Sequence, residues 1–162
     1  MKNAIRTLFV GAAAGYVASQ VMNQATTWFY ERQSDASKQR EQELLPEGAP
    51  VASARKLASW IGAEPTEDQT KTLAQVLHQS LGQLYGVVAA ALTRRGVAPV
   101  TAGLASGAGG FLLVDELANS LFFTPPPQAY PAESHLRGVV GHLTFGAALG
   151  ILLAVARRLR LL

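Results

Sequence analysis

The chain alternates between long stretches without any charged side chain and short stretches rich in charge. Asp, Glu, Lys and Arg are absent from 7–30, 72–93, 96–114 and 138–156, which hold 24, 22, 19 and 19 residues. About 20 apolar residues in a helix cross the hydrocarbon core of a bilayer. The pattern therefore predicts an all-α membrane protein with four transmembrane helices, arranged as two tandem helical hairpins in a single domain, 1–162. The third span is read as continuing past Asp115 and Glu116 to Phe123, with two acids inside it.

Between the first and second spans lies a long polar segment, 31–71. Glu31 to Leu45 contains good helix formers and neither Gly nor Pro, so a solvated extension of the first helix is expected, ended by Pro46 and Gly48. Pro50 can open a short helix over Val51 to Ile61. Its apolar positions Val51, Ala54, Leu57, Ala58 and Ile61 fall at helical spacing. It could lie on the membrane surface or pack on the extension before it. Thr66 and Gln69 have capping-box spacing, so the second long helix starts there. Arg94-Arg95-Gly96 forms a tight turn, and Pro99 suits the first turn of the third helix. The Pro-rich segment 124–134 stops that helix and should cap the bundle, and the fourth helix is expected from near Ser134. Gly109-Gly110 would permit a bend in the third helix.

Charge sets the orientation. The segments 1–6, 94–95 and 157–162 carry seven basic residues and no acid, whereas 31–71 carries six basic residues and eight acids. Short cytoplasmic loops are enriched in Lys and Arg. Both termini are therefore expected in the cytoplasm of a bacterial inner membrane, with 31–71 as a periplasmic helical insertion and 124–134 as an outer loop. Lys2, Arg6 and the apolar run after them imitate a secretory signal, but that run continues to Tyr30. There are no cysteines, which excludes disulfides and thiol chemistry. The net charge of +3 forms no stripe that would suit nucleic acid.

Two patterns recur. His78-x3-Gly82-x3-Gly86 matches His142-x3-Gly146-x3-Gly150. Gly11, Gly15 and Asn23 match Gly103, Gly107 and Asp115 in spacing. The four Gly pairs give each helix a face without side chains, where another helix can approach closely.

Asn23, His78, Asp115 and His142 fall at one level, roughly 7 to 12 Å below the outer boundary at ~1.5 Å rise per residue. Glu116 and Asn119 add to this cluster. Asp115 is assigned inward, and Glu116, about 100° around the helix, faces a different neighbour. Three readings stay open: a satisfied hydrogen-bond network, a proton- or ion-handling site, and a metal site for which His78, His142 and Asp115 are weak ligand candidates. Ser80, Ser106 and Ser120 lack a catalytic context, so no enzyme and no cofactor is expected.

The series Phe122-Phe123-Thr124-Pro125-Pro126, the stretch to Glu133, Gly141-His142-Leu143 and Arg157-Arg158-Leu159-Arg160 resembles the YagU-like family of small bacterial inner-membrane proteins of unknown function. The resemblance covers about residues 112–160; the first hairpin matches in outline and its long outer loop departs from the pattern. It implies a multi-spanning inner-membrane protein linked to acid tolerance, and assigns no catalytic residues. The functional expectation is a small membrane protein handling protons or ions, in the lipid bilayer as a homo-oligomer or a subunit of a membrane complex. The alternative is a non-catalytic accessory subunit docking through its glycine faces and outer helices.

Overall fold

The computed structural model describes residues 2–162, and they are helical apart from turns and short connections. Helix α1 spans Lys2–Arg32, α2 Asp35–Leu44, α3 Ala49–Trp60 and α4 Glu67–Arg94. Helix α5 runs over Pro99–Phe122 and α6 over Ala132–Arg158. Both α5 and α6 are long and apolar enough to cross a membrane. Only 28% and 39% of their apolar windows is buried within the chain, unlike the core helices of a soluble protein.

Local chemistry explains most boundaries. Thr66 caps α4: its hydroxyl accepts from the Gln69 N–H at 3.3 Å, while Gln69 Oε1 accepts from the Thr66 N–H at 2.9 Å. Two of the end's free donors are thereby satisfied. Thr66→Ala should cost about 1 kcal/mol, read as several-fold faster amide exchange in residues 67–70. Gly62 (φ +72°) and Gly96 (φ +99°) adopt the left-handed conformation that ends α3 and turns the chain from α4 into α5. Pro50 and Pro99 lie in the first turns of α3 and α5.

Three expectations are corrected. The first helix does not continue smoothly to Leu45. It breaks after Arg32, because the Ser34 hydroxyl accepts from the Ser37 N–H and starts α2 as a separate helix. The fourth long helix begins at Ala132, since Pro131 is extended and serves as its N-cap. In the third, a π-helical stretch, Phe111–Ala118, follows directly after Gly109-Gly110. The apolar face predicted for α3 is also only half used: Ala54 and Ala58 are buried, but Ile61 is 83% exposed.

The four long helices form a ring in the order α1, α4, α5, α6, with α6 closing against α1. Its core contains Ala14 and Ala18 of α1, Ala89 and Ala90 of α4, Ala102 of α5, and Phe145, Leu149 and Leu153 of α6. The small residues are where the backbones meet. Gly11 lies against Gly86 and Val87, and Gly15 against Gly82. In the second hairpin, Gly103 lies against Gly146 and Gly150, and Gly107 against Gly146 and the His142 carbonyl. The two sequence repeats thus make corresponding contacts, each inside its own hairpin. Arg94 Nη1 donates to the Thr7 hydroxyl at 2.7 Å and to the Asn3 carbonyl, and Arg6 donates to the Arg160 carbonyl. Both ends of the chain therefore share one end of the bundle with the α4–α5 turn.

Candidate functional site: a cavity with titratable walls at the opposite end

Away from the termini, the ring opens into a cavity of about 540 Å³. Its walls come from all four long helices, with α3 and the Pro-rich loop at the rim. His78, Asp115, Glu116, Asn119, His135 and His142 all line it.

The two halves supply equivalent pairs. In the first hairpin, His78 Nε2 lies 3.0 Å from Asn23 Oδ1. An amide oxygen only accepts, so Nε2 carries a proton and Nδ1 remains the basic atom. In the second, His142 Nδ1 lies 3.0 Å from the Gly138 carbonyl oxygen and 3.5 Å from Asp115 Oδ2. The carbonyl likewise fixes the proton on Nδ1 and leaves Nε2 basic. Gly138 makes this arrangement possible. A Cβ there would lie 2.9 Å from the Phe111 ring, which is packed 5.8 Å, centroid to centroid, from the His142 imidazole. The Asp115 carboxylate is 39% exposed, facing the cavity beside a His142 side chain that is only 13% exposed.

Glu116 does face a different neighbour, as its position after Asp115 requires. Its Oε1 is 2.8 Å from His135 Nδ1, and His135 Nε2 is 2.9 Å from the Pro127 carbonyl oxygen. The carbonyl obliges Nε2 to donate. The Nδ1–Oε1 contact therefore holds one proton between carboxylate and imidazole, whichever atom carries it. Asn119 is drawn outward: its Oδ1 lies 3.2 Å from the Ser53 hydroxyl of α3, which also donates to the Ala49 carbonyl at 2.8 Å. So the six predicted cluster residues resolve into Asn23–His78, Asp115–His142, Glu116–His135 and Asn119–Ser53.

His135 and Ser53 were not foreseen. His135 precedes His142 by seven residues, two helical turns on one face, and that spacing is a legible signal. Ser53 has none, because its role depends on where α3 lands. Among the described residues, no group of three or more His, Asp or Glu is placed to hold a metal ion, and His78, His142 and Asp115 do not form one.

A polar lock holds the cavity's rim. Arg137 of α6 pairs with Glu41 of α2 through both guanidinium arms, Nη2–Oε2 at 2.7 Å and Nη1–Oε1 at 3.1 Å. Arg137 also donates to Gln33 Oε1 at 2.7 Å and lies 5.1 Å from the Tyr30 ring. Ser134 donates to Glu41 at 2.6 Å, and the Ser34 N–H and hydroxyl donate to Glu133 at 2.7 and 2.9 Å. Burial pushes the Glu41 carboxyl up, but the hydrogen bonds from Arg137, Ser134 and Gln33, with the Arg137 charge, outweigh it and hold its pKa below the usual 4.5.

The chain matches no family model, no curated protein and no solved structure. The residues of the site alone carry the functional reading.

Proposed function

We propose that this chain is a four-span protein of the bacterial inner membrane, with both termini cytoplasmic, that handles protons or ions through the cavity between its two hairpins. The observation that carries the reading is the convergence of three imidazoles and two carboxylates on one 540 Å³ space. Water can enter a space of this size only where polar groups receive it, and here the titratable side chains on an otherwise largely apolar wall are those groups. Titratable groups on its wall can then pass protons to that water and to one another.

The groups have separable tasks. Hydrogen bonds to Asn23 and Gly138 fix the tautomers of His78 and His142 and leave each ring one basic nitrogen. Asp115 Oδ2 lies beside the His142 ring, 3.5 Å from Nδ1, so the carboxylate and the imidazole form one paired unit. Glu116 and His135 hold a further proton at the mouth, beside the Pro-rich loop. Burying ionisable groups at membrane depth costs free energy and is ordinarily connected with transport or proton transfer.

Exposed apolar side chains on α1 and α4 support the two further spans. Leu8, Phe9, Tyr16, Val17 and Val21 on α1, with Val76, Leu84 and Val88 on α4, all face outward. A bilayer covers such a surface at no hydration cost. Conserving the fold while removing a charge tests the mechanism. Asp115→Asn should reduce proton flux into liposomes at least tenfold while the helical spectrum and melting stay unchanged. Undiminished flux would exclude the cavity as the pathway.

The accessory-subunit alternative draws less support. The glycine faces are already occupied within the chain, so docking would fall to the outer helices, where Trp60 and Ile61 remain exposed. Co-purification of a fixed stoichiometric partner with wild-type protein, together with absent flux, would favour it over a self-contained homo-oligomer.

A further inference from the structure

The opposite end of the bundle carries a second, chemically different pocket. It measures about 420 Å³ and is lined by Arg6 of α1, Arg94 at the end of α4 and Arg157 in the last turn of α6. Asn3, Thr7 and Thr93 provide polar walls, and Leu161 and Leu162 an apolar lip. The three guanidiniums come from three different helices, so their convergence is a property of the fold.

Among the described residues, none of the three arginines is ion-paired. Arg94 and Arg6 each spend donors on the chain, to Thr7 and Asn3 and to the Arg160 carbonyl, which orients them. A guanidinium has five N–H donors, so each keeps others. Arg94 and Arg157 sit in the last turns of α4 and α6, where the C-terminal end of each helix dipole favours a cation and helps to hold it in place. Thr93 adds a buried polar group beside the three arginines. It is 5% exposed, lines the pocket, and its hydroxyl is buried without any hydrogen-bond partner. Such a group costs free energy unless something satisfies it.

We propose that this pocket binds a phosphate group, with Arg6, Arg94 and Arg157 as its cationic ligands. Planar guanidiniums match phosphate oxygens in pairs. The apolar lip and the basic end of a membrane bundle favour the phosphodiester of an anionic lipid. A free phosphate offers the same chemistry. The site is independent of the proton-handling cavity.

Two probes separate the sources. Detergent-purified protein is offered dioleoyl phosphatidylglycerol or dioleoyl phosphatidylcholine at equal concentration, and retained lipid is counted by native mass spectrometry. Inorganic phosphate is titrated separately by calorimetry. The expected result is at least tenfold preference for phosphatidylglycerol. Arg157→Gln, whose side chain makes no hydrogen bond within the described chain, should reduce that preference at least fivefold without loss of fold, and Arg6→Gln should act in the same direction. Phosphate binding that disappears in the same variants, without lipid preference, keeps the site and assigns it a soluble ligand. Equal retention of both lipids with no phosphate binding overturns the proposal. So does full preference in a variant carrying both Arg6→Gln and Arg157→Gln.

Discussion

Gly15→Val should break the first hairpin. A Cβ at Gly15 would overlap the Gly82 carbonyl oxygen and reach the Gln83 Cα at 3.0 Å. Both obstacles are backbone, so neither can rotate aside. Relief requires separating α1 from α4, and that also strips contacts from Ala14, Ala18, Ala89 and Ala90 in the core. Overpacking typically costs 1–3 kcal/mol; a rigid obstacle on a helix–helix seam puts this variant at about 3 kcal/mol or more. Gly103→Val should behave alike in the second hairpin, where the Gly146 carbonyl and Gly150 stand in the way. Gly109→Ala is the control. Nothing lies within 4 Å of its added Cβ, so stability should hold or rise slightly. Unfolding by SDS titration from mild detergent measures all three. Equal midpoints for Gly15→Val and Gly109→Ala would mean the seam is not where the helices meet.

The second large effect belongs to the lock between α2 and α6. Arg137→Met keeps the length and the apolar stem but leaves Glu41, whose side chain is 16% exposed, without its cation. Removing one partner of a buried pair costs 3–5 kcal/mol. Arg137 is itself 23% exposed, so a loss of about 2–3 kcal/mol is expected, concentrated where α2 meets α6. Amide exchange over 35–44 should accelerate strongly, while exchange in the core of α6 stays slow. Acid should reproduce the effect in the wild type. The Glu41 carboxyl has a lower pKa folded than unfolded, so its contribution is complete above about 4.5 and falls away as the pH drops through the depressed folded value. A spin-label distance between α2 and α6 should therefore lengthen only below about pH 4.5. A distance that changes near neutrality, or that survives Arg137→Met, would show that another contact holds the insertion. In a protein whose cavity takes up protons, such a lock would loosen the rim under strong acid on the same face.

Much of this architecture was legible in residue spacing. Glycines four apart marked the seams, because only backbone can meet backbone at that distance. The Thr66 capping box, Pro99 and Gly96 set helix ends through local hydrogen bonding and steric rules that need no neighbours. The internal repeat matched Asn23 with Asp115 and His78 with His142 across the two halves, whereas the contacts form inside each hairpin, Asn23 to His78 and Asp115 to His142. Placing these residues at one depth required only a helical rise and an outer boundary.

What the chain could not reveal by itself is which side chains touch. The break at Ser34 is stabilised by Glu133, 99 positions away. The π-helical stretch that carries Asp115 and Glu116 follows a Gly-Gly pair compatible with several backbone paths, and only packing against Gly138 and His142 selects one. The Glu116–His135 proton, the Asn119–Ser53 contact and the ring of three arginines each join elements whose relative placement is a tertiary outcome. Local periodicity fixes faces and ends because its forces act within a turn or two. Partners across the bundle are chosen by the mutual fit of whole helices, which no single segment encodes.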